Sequence, residues 1–203
     1  MNLFIFILSF ASMSYEFVLS HTLSILFGDL VTHYILTTSC FIFFMGIGAW
    51  CYDQKLKKIK LFKVEYLLSC LSLFIILLPV MSFNFNESIS FSLLMFFIIT
   101  IAFLTGIELP WFLAHSKEPL KTLGIDYLGM GLAGLVFGYI FLPLFGLMET
   151  ALFIGGLNFL LAVILHYHES KKKWIFVFLI FPAIILFHLD DFNQLLARGY
   201  LGI

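Results

Sequence analysis

Long apolar runs separated by short clusters of charge are the feature that most limits what this chain can fold into. Several runs reach about 18 residues or more, the length at which a helix spans a hydrocarbon core of roughly 30 Å. Only 11% of the 203 residues are charged, and 62% are hydrophobic. A soluble domain carries about 25% charged residues. We therefore predict an all-α fold, a polytopic membrane helical bundle.

The apolar runs predict about seven transmembrane helices. Their expected positions are 3–27, 33–52, 64–82, 89–113, 125–145, 148–167 and 174–189. They form a predicted transmembrane helical domain over residues 1–189, followed by a short extracytoplasmic tail at 190–203. The pattern of the tail is that of an interfacial helix, and the alternative is a disordered segment. The first run has no basic start and no small-residue cleavage site, so we interpret it as a mature helix rather than a signal peptide.

Basic residues are confined to alternate predicted loops. The loops after helices 2, 4 and 6 contain ten of the eleven: Lys55, Lys57, Lys58, Lys60, Lys63, Lys117, Lys121, Lys171, Lys172 and Lys173. Only Arg198 falls on the other side. Because basic loops stay in the cytoplasm, we predict a cytoplasmic N-terminus and an external C-terminus. The expected location is a bacterial cytoplasmic (inner) membrane.

Three acidic residues lie in the cytoplasmic half of the predicted spans, and no span contains a lysine or arginine. They are Glu16 in helix 1, Glu108 near the end of helix 4 and Asp126 at the start of helix 5. A buried carboxylate is costly unless it faces a packed or wet interior. These acids are therefore candidates to bind a cation or a polyamine. The alternative is that each caps a helix or bonds to a neighbouring helix in its protonated form, which we favour for Asp126.

Small residues predict close packing of helices 5 and 6. Gly131, Gly134 and Gly138 share one side of helix 5, and Gly155 and Asn158 share one side of helix 6. Such spacings allow membrane helices to approach closely, and the Asn158 amide is suited to an interhelical hydrogen bond.

Several classes of site are not predicted. The three cysteines show no CxxC or Cys/His ligand spacing, and the histidines form no convincing ligand pair, so we expect no metal or cofactor. No nucleophile elbow, phosphate loop or dinucleotide fingerprint occurs, so we assign no catalytic residue. No basic face is available for nucleic acid.

Short motifs distributed along the chain resemble the membrane region of membrane-bound spermidine synthase-like proteins, which belong to the polyamine aminopropyltransferases. They are Ser14-Tyr15-Glu16, Leu19-Ser20, Leu26-Phe27-Gly28, Met45-Gly46-Ile47-Gly48, Gly106-Ile107-Glu108-Leu109-Pro110, Asp126-Tyr127-Leu128-Gly129, Gly134, Pro143, Gly146-Leu147, Thr150-Ala151 and Gly156-Leu157-Asn158. The resemblance implies a multi-helix membrane region followed by a soluble aminopropyltransferase domain of Rossmann-like methyltransferase type.

The catalytic part of that family has no counterpart in this sequence. The chain ends shortly after Arg198, about where the soluble domain would begin. The family's active-site aspartates and its loop for decarboxylated S-adenosylmethionine therefore match nothing here. We expect that the chain has no synthase activity of its own.

A looser resemblance is to the major facilitator transporters. Their loop between helices 2 and 3 is similar to the segment from Gly48 to Asp53 and the lysines that follow. Helices 1–3 and 4–6 would then be inverted repeats, each with an acid, Glu16 or Glu108, in its first helix. Such a chain would be half of a transporter or would act as a dimer.

Three functions remain open on these observations. The leading prediction is an integral membrane subunit without a catalytic domain, which packs with itself or with a partner protein and binds a cation or polyamine at its cytoplasmic-side carboxylates. The first alternative is a secondary transporter or half-transporter with Glu16 and Glu108 as coupling carboxylates. The second is the membrane part of a split aminopropyltransferase.

Overall fold

The computed structural model describes residues 2–84 and 86–170, which are helical almost throughout and contain no strand. The helices are α1 (Asn2–Phe27), α2 (Leu30–Cys51), α3 (Leu61–Asn84), α4 (Glu87–His115), α5 (Pro119–Val136) and α6 (Gly146–Ser170). The predicted all-α fold is confirmed. The predicted seventh helix, 174–189, and the tail, 190–203, lie outside the described residues.

Four helical segments of the described chain are long and apolar enough to cross a membrane. They are Asn2–Phe27, Leu30–Leu56, Glu87–His115 and Pro119–Tyr167. The last has 49 residues, about twice the length that one crossing needs, and it contains both α5 and most of α6. These four segments bear out the apolar helices expected from the sequence, while the count of seven spans stays a prediction.

Helix α5 begins six residues earlier than predicted. Its first residue is Pro119, whose fixed φ suits the start of a helix and whose missing N–H would have no helical partner there. The prediction followed the apolar run and therefore missed the polar first turns. Asp126 consequently lies two turns inside α5 and does not open it, so the capping role that we favoured for Asp126 is wrong.

Two π-helical segments extend α-helices. Tyr52–Leu56 continues α2, and Phe137–Phe145 continues α5 as far as the start of α6. The wider i→i+5 turns shift the positions of side chains around the helix. Pro143 lies in the second segment. Gly146 then takes φ +81°, a conformation that favours glycine, and α6 starts there without a separate loop.

A two-residue turn joins α1 to α2. Gly28 has φ +74° and Asp29 has φ +41°, both in the left-handed region that asparagine, aspartate and glycine tolerate best. The Asp29 carboxylate accepts a hydrogen bond from the Thr32 backbone N–H at 3.3 Å. Hydrogen bonding from Thr32 lowers the pKa of the Asp29 carboxyl, so this cap is ionised at neutral pH.

Helix α1 is central in the described bundle, since it contacts each of α2 to α6. The most extensive pairings are α2 with α4, α3 with α6 and α1 with α5. Helices α1 and α4 run antiparallel, as two contacts between them show. Ser12 in α1 contacts Glu108 near the end of α4, whereas Phe27 at the end of α1 meets Phe91 at the start of α4, with ring centroids 5.4 Å apart.

One end of the bundle therefore contains the α2–α3 and α4–α5 connections. We call it the lysine end, because Lys55, Lys57, Lys58, Lys60, Lys63, Lys117 and Lys121 all lie on or beside these connections. The sequence predicted that these two loops share one side, and the helix contacts place them there.

Glycines permit the closest contact between α2 and α4. A Cβ added to Gly48 would overlap the carbonyl oxygen of Phe103, and one added to Gly106 would overlap that of Met45. Both obstacles are backbone atoms, which cannot move aside as a side-chain end does. The α2–α4 packing therefore requires glycine at both positions.

Candidate functional site

A cavity of about 460 Å³ lies at the lysine end, between α1, α2, α4 and α5. We call it the acidic cavity. Most of its lining is apolar, and its polar side chains are Ser9, Ser12, Thr105, Glu108 and Asp126. Its size falls within the range of about 300–1,000 Å³ that is usual for small-ligand sites. A mostly apolar lining with a few convergent polar groups is the usual composition of such sites.

Glu108 lies on α4 and is 5% exposed. Its Oε2 accepts a hydrogen bond of 2.8 Å from Ser12 Oγ on α1. Its Oε1 is buried and has no hydrogen-bond partner in the structure. Pro110 is four residues after Gly106 and has no N–H to donate to the Gly106 carbonyl, which therefore loses its helical bond. Both of these residues also line the cavity.

Asp126 contributes the second carboxyl group, from α5. It is 4% exposed, its Oδ1 is hydrogen-bonded to Ser9 Oγ, and its Oδ2 is buried without a partner. Ser9 Oγ also lies 2.8 Å from the Ile5 carbonyl oxygen. Because a serine hydroxyl has one proton, Ser9 cannot donate to both acceptors at once. An ionised Asp126 would therefore have fewer hydrogen-bond donors than its two carboxylate oxygens can accept.

Glu65, which was not predicted from the sequence, is the most buried acid among the described residues. It lies on α3 with no exposed surface, and neither carboxyl oxygen has a hydrogen-bond partner. It lies close enough to Glu108 and Tyr15 for a charge on Glu65 to act on both, so we group the three side chains as one cluster. The missed signal was periodicity: Leu61, Glu65, Leu68 and Ser72 follow helical spacing, and all are fully buried.

Tyr15 and Asn158 connect three helices beside this cluster. Asn158 Nδ2 on α6 donates to Tyr15 Oη on α1 at 3.3 Å, and Tyr15 Oη lies 3.4 Å from the Leu68 carbonyl oxygen on α3. The interhelical hydrogen bond predicted for Asn158 is therefore present. Its partner, Tyr15, was not identified from the sequence.

Glu16 has a different environment. It is 4% exposed, and its Oε1 accepts a 2.7 Å hydrogen bond from Thr38 Oγ1 on α2. It does not line the acidic cavity. The three acids predicted as one site are therefore divided, with Glu108 and Asp126 together and Glu16 at the α1–α2 interface.

The glycines predicted to pack helices differ in how closely a neighbouring helix approaches them. Gly131 and Gly138 are exposed on α5 and its π-helical extension, where an added Cβ would meet nothing within 4 Å. Gly134 would meet the Phe17 ring at 3.5 Å, and a Cβ at Gly155 would overlap Ser72 Oγ. On α5 the closest approach is instead at Gly129, where a Cβ would lie 2.6 Å from the Phe6 carbonyl oxygen.

Among the described residues, no basic side chain lines the acidic cavity. Two ion pairs at this end, Lys57 with Asp53 and Lys121 with Glu118, are on the surface. Within residues 2–84 and 86–170, no three His, Cys, Asp or Glu side chains are grouped so as to hold a metal ion. A buried ionised carboxylate without a counter-charge costs several kcal/mol. The geometry is therefore suited to a cationic group that bonds to the unpartnered oxygens.

Comparison with known proteins identifies polyamine aminopropyltransferases as relatives. The chain is 29% identical over 163 residues to the enzyme of Leptospira interrogans, covering 76% of this chain and 32% of that protein. It is 29% identical over 178 residues to the enzyme of Oceanobacillus iheyensis, covering 82% and 35%. It is 30% identical over 201 residues to polyamine aminopropyltransferase 2 of Aquifex aeolicus, covering 93% and 39%.

The chain thus spans about a third of the length of the curated relatives it matches. No family model matches it, and no solved structure matches it. The resemblance to polyamine aminopropyltransferases that the short motifs indicated is confirmed as a weak homology, with 29–30% identity.

Proposed function

We propose that this chain is a membrane module of a polyamine aminopropyltransferase-related system and that its acidic cavity binds an organic amine cation. The module has seven spans, an N-terminus in the cytoplasm and a C-terminus outside, in a bacterial cytoplasmic membrane. The homology and the four apolar helical segments support its membrane role. The concentration of lysines at one end supports its orientation.

The module itself is proposed to be non-enzymatic. Its described residues are helical, whereas the catalytic domain implied by the family resemblance is of a Rossmann-like type that requires a sheet. We infer that it works with a synthase domain or with another protein partner, as the membrane part of a split aminopropyltransferase would. Amine binding would then serve to hold substrate or product near the membrane.

One observation carries the proposal of a cation site. Glu108 and Asp126 line the same cavity, and each has one buried oxygen without a hydrogen-bond partner. An alkylammonium group donates three hydrogen bonds and brings the missing positive charge. The apolar remainder of the cavity suits the methylene chain of an amine. The relatives are named for polyamine chemistry, so the expected ligand is a polyamine.

Binding of radiolabelled spermidine to the purified protein in nanodiscs tests this site. We expect saturable binding that is weakened about tenfold or more by Glu108→Gln and by Asp126→Asn, because each removes a charge-assisted hydrogen bond worth roughly 1.5–3 kcal/mol. Glu118→Gln is the matched control, since Glu118 is exposed and pairs with Lys121 at 3.0 Å. Undetectable binding, or equal losses in all three variants, would contradict the proposal.

The orientation makes a separate prediction. A reporter active only outside the cytoplasm, fused after Ile203, should be active, and the same reporter fused between Lys57 and Lys60 should be silent. The reason is that lysine-rich loops are retained in the cytoplasm. Activity at the internal fusion would show that the orientation is opposite to the proposed one. A silent C-terminal fusion would show that the proposed number of spans is wrong.

Transport of the same cation is a second candidate, favoured by one observation. Helices α1, α2, α4 and α5 all line the acidic cavity, so both halves of the proposed inverted repeat contribute to it. Uptake of labelled spermidine into proteoliposomes distinguishes transport from binding alone. If this chain is a transporter, Glu108→Gln should abolish uptake, whereas Glu16→Gln should do so only if coupling extends to the α1–α2 interface.

A further inference from the structure

A second cavity, of about 330 Å³, lies between α3 and α6 near the lysine end. It is lined by Phe62, Lys63, Tyr66, Phe159, Ala162, Val163 and His166. We call it the α3–α6 groove. None of these residues lines the acidic cavity, so the groove is a separate feature of the bundle.

The groove has an aromatic and aliphatic interior. The Phe62 ring packs edge-on against the His166 imidazole, with centroids 4.7 Å apart, and Tyr66 lies 6.4 Å from Phe159 by the same measure. Neighbouring residues on both helices are large, apolar and exposed: Leu67, Phe74, Leu160, Ile164 and Tyr167. In the proposed orientation, these exposed residues of α3 and α6 face lipid chains.

The rim of the groove is basic. Lys63 is exposed, and it forms no ion pair with another described residue. The His166 imidazole lies on the facing helix, and the Lys60 ammonium lies 5.8 Å from the centre of the Phe62 ring. Of the side chains that the structure describes, no acidic one lines the groove. An apolar slot with a positive rim at a cytoplasmic helix end matches the headgroup and acyl chain of an anionic lipid.

We propose that the α3–α6 groove binds one anionic phospholipid. An acyl chain lies against Tyr66, Phe159 and Val163, while the headgroup phosphate is bound by the Lys63 ammonium and the His166 imidazole. The inference rests on the proposed membrane placement, in which these residues lie at the cytoplasmic leaflet. Two facts favour a lipid over a protein partner: both helices have exposed apolar residues that face lipid in the proposed placement, and the Lys63 ammonium is complementary in charge to phosphate.

The test compares lipid retention by the full chain after purification in mild detergent, using native mass spectrometry with added phosphatidylglycerol. Wild-type protein should retain one phosphatidylglycerol in preference to phosphatidylcholine. Lys63→Glu should lower retention at least about fivefold, the factor expected from losing one lysine contact with an anionic lipid. Val163→Trp, which fills the slot without altering charge, should also lower it.

Lys58→Glu is the matched control, because Lys58 lies in the same lysine cluster but does not line the groove. It makes the same change in net charge and should leave the retained lipid in place. Equal losses for Lys58→Glu and Lys63→Glu, or equal retention of the two lipids, would overturn the proposal. So would unchanged retention in Val163→Trp, the result expected if another segment or a partner covers the groove.

Membrane insertion is measured on the same samples by carbonate extraction. A chain that is extracted as a peripheral protein contradicts the membrane module itself. A chain that resists extraction but shows no selective retention contradicts only the lipid site. The two failures are therefore distinguishable.

Discussion

Gly106→Ala should destabilise the bundle by about 1–3 kcal/mol or more, although alanine is a better helix former than glycine by roughly 1 kcal/mol. The added Cβ would overlap the Met45 carbonyl oxygen on α2, and the same interface has a second such position at Gly48. Since the obstacle is backbone, relief requires that α2 and α4 separate along their contact. That separation would also distort the acidic cavity, which both helices line.

The measurement is reversible unfolding in mixed micelles, followed by tryptophan fluorescence. Gly131→Ala is the matched control, because Gly131 is exposed and an added Cβ would meet nothing within 4 Å. It should be neutral or slightly stabilising, as expected from helix propensity alone. Equal stability of the two variants would mean that the close α2–α4 contact does not exist in the folded protein.

Glu65→Met should stabilise the protein by about 1–3 kcal/mol, which is the desolvation cost of a buried polar group without partners. Glu65 has no exposed surface, and neither of its oxygens accepts a hydrogen bond. Methionine has a similar length and flexibility and requires no partner. The same variant should change spermidine affinity, because Glu65 interacts electrostatically with Glu108.

Thermal unfolding of Glu65→Met is best compared with that of Glu87→Met. Glu87 is exposed in the first turn of α4, so its replacement should shift the midpoint little. A higher midpoint with altered amine binding would indicate that Glu65 is retained for binding at the expense of stability. A clear loss of stability would show that Glu65 has a stabilising partner in the folded protein.

Helix positions and the position of Glu108 were predictable because they depend on local patterns. Apolar runs mark the helices, and the alternation of lysines places two connections at one end. Glu108 stands in an otherwise apolar segment, where a carboxyl group needs an interior environment. None of these inferences requires knowing which helix packs against which.

The composition of the site was less predictable, because it depends on which helix faces which. Glu65 was not predicted as a site residue, because its burial depends on helices that are distant in sequence. Glu16 and Glu108 resemble each other in sequence context, yet the first turns toward Thr38 and the second toward Ser12. On α5, glycine spacing did not distinguish the face at Gly129, which packs against α1, from the exposed face at Gly131.

The central position of α1 has a consequence for how the protein is made. The Ser9 hydroxyl meets its partner Asp126 across 117 residues of chain, and ribosomes add about 5–20 residues each second. The first helix must therefore wait roughly 6–23 s for that partner. During this interval in a membrane, the serine side chains of α1 and Glu16 would face lipid unless the insertion machinery or another subunit covered them. The contact between Ser9 and Asp126 can therefore form only after α5 has been synthesised.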